Sequence, residues 1–342
     1  MTAKELAKKL GISESSISIA LNNKTGIGDV TRRKIIQAAL ENGMPYHAEE
    51  KETMVMELKS LQLLIYRKNG SRADKTPYFS QIFSDVMEGA DRQASRRGYK
   101  IEISYLDPDN LCSEIRKIER SDKKGILLLA TEMTEEQISL FHDVKIPIVM
   151  LDNYMDNPGM DCVLINNEQG LYEAVSFLYK MGHQDIGYLH VDGDANNFVE
   201  RYFGFLKAVR KNNMIVRDEA VVSFTSLGGE DVYPNLKKEL LKRKKMPTAF
   251  VADNDIIAIQ AIRILKEMGF DIPRDISIVG FDDIIFSEMA EPALTTIHTS
   301  KHEIGSMAVN MLIDRMKGRV HKDIKIEIAT RLVVRKSVYK LK

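Results

Sequence analysis

The chain has 342 residues, 44% of them hydrophobic and 29% charged, with 49 basic side chains against 49 acidic ones. That length holds two to three folded units with real cores, and the composition excludes disordered, collagen-like and disulfide-stapled proteins. The zero net charge hides an asymmetry. Residues 1–46 carry seven basic side chains against four acidic ones, a net +3, while residues 47–59 carry two against four, a net −2. This reversal, followed by strand-like sequence, divides the chain into a head (1–46), a linker (47–60) and a large body (61–342).

In the head, Leu6, Leu10, Ile17, Ala20 and Leu21, then Ile35, Ile36, Ala39 and Leu40, recur with helical spacing between Gly11, Gly26 and Gly28. Three helices are expected near 3–10, 14–22 and 30–42, with Ser13 capping the second. A small Ala7 lets two helices cross, Gly11 permits a left-handed turn, and Ile17 anchors the second helix: this is helix-turn-helix spacing. The N-terminal part of the second helix then enters the major groove, so Glu14, Ser15, Ser16, Ser18 and Ile19 face bases or phosphates, with Thr2 and Asn22 beside them. A three-helix bundle that binds another protein is the alternative.

The stretch Leu10-Gly11-Ile12-Ser13-Glu14-Ser15-Ser16-Ile17-Ser18-Ile19-Ala20-Leu21-Asn22-Asn23 resembles the head of the lactose/galactose repressor (LacI/GalR) family, with its pattern G-V-S-x-x-T-V-S-R-V-L-N. The resemblance runs the length of the chain. It implies a regulator that binds palindromic operator DNA as a homodimer and responds to a small effector. Ile19 replaces the family's base-contacting arginine and Ser16 its threonine, so Ile19 offers a thymine methyl contact in place of guanine readout. The linker, His47-Ala48-Glu49-Glu50-Lys51-Glu52-Thr53-Met54-Val55-Met56, stands where the family has N-A-x-A-R-x-L. Ala48 and the basic Lys51 are kept, and Lys51 is assigned to DNA. Thr53 takes the place of the leucine wedge, and Glu49 and Glu50 repel phosphates, so weaker DNA binding or a plain solvated linker is expected.

The body alternates apolar runs with amphipathic stretches. Strands are expected at 61–66, 101–105, 125–130, 147–151, 162–165, 186–190, 221–224, 248–252, 276–281 and 293–297. Helices are expected at 79–97, 168–181, 199–212, 256–268 and 303–317. Repeated βα units mean parallel sheets covered on both faces, and the length suits two of them. The fold class is thus α/β, a three-helix helix-turn-helix head and a two-lobed body with two doubly wound parallel sheets, and the resemblance implies that this body is periplasmic-binding-protein-like. Lobe one spans about 61–164 and 298–326, and lobe two about 165–297 and 327–342.

No G-x-G-x-x-G, P-loop or G-x-S-x-G elbow is present, which leaves a ligand between strand carboxyl ends. Asp282, after the apolar run 277–281, can accept two hydroxyl bonds, and the resemblance assigns it and Arg201 to the effector. Asn197, Asn254, Asp152 and the aromatic pair Tyr78 and Phe79 complete the proposed pocket, with an aromatic ring as stacking wall. Plainer roles stay open. Asp282 or Asn254 could cap the following helix, Phe79 could be core, and Arg201 could pair at the surface with Glu200 or Asp194.

His298 and His302 straddle a strand-to-helix crossover and form no zinc motif, and no nucleophile accompanies Asp253, Asp282 and Asp283. No cofactor, metal or catalysis is expected. The two cysteines, Cys112 and Cys162, show no CxxC spacing and read as buried, reduced thiols; the apolar runs are far shorter than the ~20 residues of a membrane helix, and the charged N-terminus has no signal-peptide core. A cytoplasmic repressor follows, with a sugar, phosphosugar or purine as effector. A cytoplasmic sugar-binding protein with weak or no specific DNA binding is the alternative.

Overall fold

The computed structural model describes residues 2–22, 24, 26–42, 59–68, 77–154, 159–193, 195–226 and 231–341. The chain divides into two units, Met1–Leu58 and Lys59–Lys342. The first holds α1 (Ala3–Leu10), α2 (Glu14–Leu21) and α3 (Asp29–Glu41). Thr2 opens α1 with a capping box: its hydroxyl accepts from Glu5 N, and Glu5 accepts from Thr2 N at 2.7 Å. Gly11 ends α1 at φ 66°, a left-handed turn that a side chain would strain, and the chain re-enters helix at Ser13. Leu6, Ala7, Ile17, Ala20, Ile35 and Ala39 fill the core of this unit.

The second unit contains two six-stranded sheets. The first is built from β1 (Lys59–Tyr66), β2 (Tyr99–Leu106), β3 (Ile126–Leu129), β4 (Ile148–Leu151), β5 (Asp161–Ile165) and, after a long excursion, β11 (Lys325–Ile328). Its order is β11-β5-β4-β3-β1-β2, all parallel. The second sheet takes β6 (Ile186–Asp192), β7 (Val221–Thr225), β8 (Ala249–Ala252), β9 (Ser277–Asp282), β10 (Thr295–His298) and β12 (Arg331–Val333), in the order β12-β10-β9-β8-β6-β7. Helices α4 (Pro77–Arg96), α5 (Leu111–Glu119), α6 (Glu135–Ser139) and α12 (Lys301–Met316) accompany the first sheet. Helices α7 (Asn167–Lys180), α8 (Asn196–Lys211), α9 (Val232–Leu241), α10 (Asp255–Glu267) and α11 (Ile285–Met289) accompany the second. Fully buried runs such as Ile126–Leu129 and Ile148–Leu151 are what a sheet covered on both faces requires. Cys162 is buried within β5, whereas Cys112, in the first turn of α5, is exposed and not buried as expected.

The second sheet departs from the expected all-parallel arrangement, because β12 pairs antiparallel with β10. Arg331, the first residue of β12, faces His298, the last of β10, so the chain returns to this sheet at the end where it had left and must run the opposite way. Neither β11 nor β12 is marked by an apolar run. Both are edge strands without a fully buried residue: in β11 exposed charged residues alternate with half-buried isoleucines, and in β12 an exposed arginine precedes two half-buried residues. β11 pairs with β5 as far as Ile328, so the last passage between sheets falls at 329–330, a little beyond the 326/327 boundary read from sequence.

α4 and α12 touch backbone to backbone. A methyl group at Gly305 would lie 2.1 Å from the Val86 carbonyl oxygen, and one at Gly89 2.1 Å from that of His302. Gly305→Ala is therefore expected to destabilise the body by about 1–3 kcal/mol. Urea denaturation measures this, and an unchanged midpoint would refute the close approach.

Candidate functional site

In the head, Glu14, Ser15, Ser18 and Asn22 form an exposed face of α2, while Ile17 and Ala20 point into the core. The serines are locally organised. Ser13 Oγ accepts from Ser16 N at 3.2 Å and lies 2.8 Å from both Ser15 Oγ and Ser16 Oγ. Asn22 Nδ2 donates to the Ser18 carbonyl at 2.9 Å, closing the helix. Ser16 and Ile19 are half-buried, the latter beside Gly26, so Ile19 offers only part of its side chain to a partner. Arg32, unremarked in the sequence, donates to the carbonyls of Ile19 and Lys24 and fixes the end of α2. Thr2 spends its hydroxyl on the capping box. Lys51 lies outside the described residues.

In the body, the expected pocket residues gather where strands end. Asp152 follows β4 at φ 61°, Asp282 ends β9 at φ 106°, and Asp283 follows at φ 53°. Non-glycine residues adopt such angles at a cost of about 1–3 kcal/mol each and keep them only where the surroundings hold them. Asp152 is held by its N–H to the Val163 carbonyl at 3.0 Å and by Thr131 Oγ1, which donates to Oδ2 at 2.8 Å. Its other oxygen has no hydrogen-bond partner among the described residues. Burial pushes the Asp152 carboxyl up to about 6, against the Thr131 hydroxyl, the nearby Asn197 amide and the Arg201 charge.

Arg201, 3% exposed, occupies the middle of the site. Its Nε donates to Asn167 Oδ1 at 2.8 Å, Nη1 to the Asp253 carbonyl at 2.6 Å and Nη2 to Asp282 Oδ1 at 3.1 Å. The guanidinium lies 3.9 Å from the Phe281 ring centroid. It forms an ion pair with the equally buried Asp282, so the guanidinium is not a surface group; Asp194 lies outside the described residues. Lys301 Nζ and Thr299 Oγ1 donate to the Asp282 carbonyl. Asp282 does not cap the next helix: α11 starts at Ile285, and it is Asp255 that accepts from Ile284 N at 2.9 Å.

Asn197 Nδ2 donates to the Asp152 carbonyl at 3.4 Å, and Asn196 Nδ2 reaches Asn153 Oδ1 at 2.6 Å and the Tyr154 carbonyl at 3.0 Å. These bonds join α8, of the second sheet, to the end of β4 in the first. Asn254 takes the plainer role, its Oδ1 accepting from Ile257 N at 2.9 Å as N-cap of α10. Tyr78 and Phe79 lie in the first turn of α4, and their side chains fall outside what the structure describes. His298 pairs with Asp283 at 2.9 Å, and Arg335 meets the other oxygen of that carboxylate at 2.8 Å. Burial alone would raise Asp283, but Arg335 and His298 outweigh it and hold the carboxyl below its usual range.

Sequence reasoning missed the buried layer behind these residues. Asp253 accepts from Tyr188 OH at 2.6 Å, His190 Nδ1 at 2.9 Å and Val191 N at 2.7 Å. Burial lowers the His190 pKa, yet the bond and charge of Asp253 outweigh this and leave it raised. Asp255, fully buried, accepts from Ile284 N, Ser287 Oγ and Thr296 Oγ1. Burial, then the charge of Asp282, pushes its carboxyl up from 3.8 to about 7.

The native state therefore keeps a proton on Asp255 that the unfolded chain has released. That contribution is complete below the unfolded pKa and is lost as pH rises through about 7. The stability of the wild type relative to Asp255→Asn is expected to be greater at low pH than above pH ~8, by roughly 2–4 kcal/mol. Thermal denaturation of both proteins over that range measures it. A pH-independent difference would contradict it.

Residues 175–338 match a family described as a periplasmic binding protein-like domain. The chain is 32% identical over 346 residues to the HTH-type transcriptional repressor PurR of Mannheimia succiniciproducens, covering 99% of both chains. It is 31% identical to PurR of Actinobacillus pleuropneumoniae at the same coverage. Among solved structures, a transcriptional regulator CelR in complex with cellobiose superposes with a TM-score of 0.73 at 22% identity, over 98% of this chain and 99% of that one. The lac repressor dimer bound to operator and the anti-inducer ONPF gives 0.71 at 20% identity, over 99% of each. Among the described residues, no helix is long and apolar enough to cross a membrane. An alignment to repressors from end to end, with a helix-turn-helix head before a two-sheet body, settles the relationship: the chain belongs to the LacI/GalR family of transcriptional regulators.

Proposed function

We infer that this protein is a cytoplasmic homodimeric repressor whose head, 1–46, binds operator DNA and whose body, 61–342, holds a small polar effector between its lobes. The linker 47–60 connects them. The observation that carries the reading is the near-complete alignment with relatives named as repressors, in which head and cleft occur in one chain. In the head, Glu14, Ser15, Ser16, Ser18, Ile19 and Asn22 on α2 are the proposed groove contacts, with Thr2 and Lys51 near phosphates. In the cleft, Asp282 and Asp152 accept from ligand hydroxyls, Arg201 donates, Asn197 and Asn254 line the sides, and Tyr78 or Phe79 supplies a stacking face. Two buried carboxylates at one site favour a ligand rich in hydroxyl donors, and a sugar is the first candidate; a phosphosugar or purine is a further test case. The effector acts only through different affinities for two arrangements of the lobes, one of which sets the head spacing that fits a palindrome. No residue is assigned to catalysis.

A thermal-shift screen against ribose, cellobiose, sucrose, sugar phosphates and purine bases tests the cleft, repeated on Arg201→Ala and Asp282→Ala. A ligand at about 100 times its Kd stabilises the folded state by about 2.7 kcal/mol. A melting temperature raised in the wild type and unmoved in both variants is the expected outcome. Equal responses in all three proteins would remove the effector from this site.

A further inference from the structure

We propose that Asn167 is a positioning residue that ties the passage between the two sheets to both the effector arginine and one of the contacts that bridge the cleft. This rests on the reading of the cleft as the effector site. Asn167 is the first residue of α7, directly after β5 and the N-cap Asn166, and thus lies where the chain first leaves one sheet for the other. The neighbouring return passage is tied to it. Asn166 N donates to the Ile328 carbonyl at 2.9 Å, and Gln169 and Thr330 exchange two bonds at 3.4 Å.

The side chain is 1% exposed and uses both ends. Oδ1 accepts from Arg201 Nε at 2.8 Å, while Nδ2 donates to Asn197 Oδ1 at 2.9 Å and to Glu200 Oε2 at 2.7 Å. One amide therefore sets the guanidinium plane that presents Nη2 to Asp282, and also orients the Asn197 amide so that its NH2 faces the Asp152 carbonyl across the cleft. Only an amide does both: aspartate keeps the acceptor for Arg201 but loses the two donors and sets a carboxylate against Glu200. Rotation of the lobes about the passage moves α7, and through Asn167 it moves both groups together. Ligand capture and lobe closure thereby share one side chain.

Hydrogen exchange on the ligand-free full chain, read by mass spectrometry, tests this without a known effector. Asn167→Ala is expected to speed exchange about tenfold in segments 195–201 and 152–154, with the remainder of α7 unchanged. Asn167→Asp is expected to do the same, and Asn197→Ala to loosen 152–154 alone. The double variant Asn167→Ala/Asn197→Ala should loosen 152–154 no more than either single change, because both remove one link. Unchanged exchange at 152–154 in Asn167→Ala, additive effects in the double variant, or loosening spread evenly along α7 would each overturn the proposal. These outcomes are independent of the ligand screen, so a failed screen refutes the cleft as effector site and a failed exchange experiment refutes the coupling.

Discussion

Arg201→Ala is expected to destabilise the body by about 3–5 kcal/mol, the usual consequence of removing one partner of a buried ion pair. The loss includes the ion pair to buried Asp282 and the hydrogen bonds that the Asp253 carbonyl and Asn167 Oδ1 accept. Removing the negative partner as well relieves the part due to the ion pair. Arg201→Ala/Asp282→Asn should thus recover some of the stability lost in the single variant, a coupling that thermal denaturation of the four proteins of the cycle resolves. Neither variant should respond to a ligand that stabilises the wild type. Full ligand response in Arg201→Ala would show that the guanidinium serves the fold alone.

The second large effect concerns the head. Its core consists of Leu6, Ala7, Ile17, Ala20, Ile35 and Ala39 with a few half-buried neighbours, and folded units of about 40 residues bury too little surface to hold much reserve. Ile17→Ala removes a fully buried branched side chain at the crossing of α1 and α2, worth about 2–5 kcal/mol. That is comparable with the whole stability of so small a unit. Operator affinity is expected to fall by about 100-fold or more, since the groove-facing helix has no support once the head unfolds. The body should melt as before and bind ligand as before, because its own core clusters contain no residue of the head. Fluorescence anisotropy with operator DNA, alongside calorimetry of the full chain, separates the two. Operator binding retained within about threefold would refute the assignment of DNA binding to this unit.

Much of the fold was legible because parallel strands buried on both faces leave continuous apolar runs. The segments Ile126–Leu129, Ile148–Leu151 and Ser277–Asp282 carry their own evidence. β11, whose sequence alternates Lys, Ile, Glu and Ile, and the three-residue β12 do not, since an edge strand owes its existence to the neighbour it pairs with. The same divide separates the site residues. Asp282 could be marked as a polar group closing an apolar run and Arg201 stood near the start of a helical pattern, while the assignment of both to an effector came from the family resemblance. Asn254 carried an ambiguous signal, and its Oδ1 is seen in a capping bond from Ile257, three positions away. Asn167, Asp253 and Asp255 were illegible because their partners lie far off in sequence. Asp255 meets Thr296 across 41 positions, Asp253 meets His190 across 63, and Asn167 meets Arg201 across 34. No local pattern records such a convergence, and only the folded chain brings it together.

Ligand-dependent operator binding by the full chain tests the central claim most directly. Genomic DNA fragments are first selected on the protein at moderate salt, and the affinity of the recovered site is then measured with and without the ligand that stabilises the wild type. The expected result is a palindrome with half-sites about one helical turn apart, bound with an affinity that the ligand changes about tenfold or more in the wild type and leaves unchanged in Arg201→Ala. Recovery of no common site, with only steeply salt-dependent binding that the ligand does not alter, would contradict it and point to a binding protein without a regulatory role.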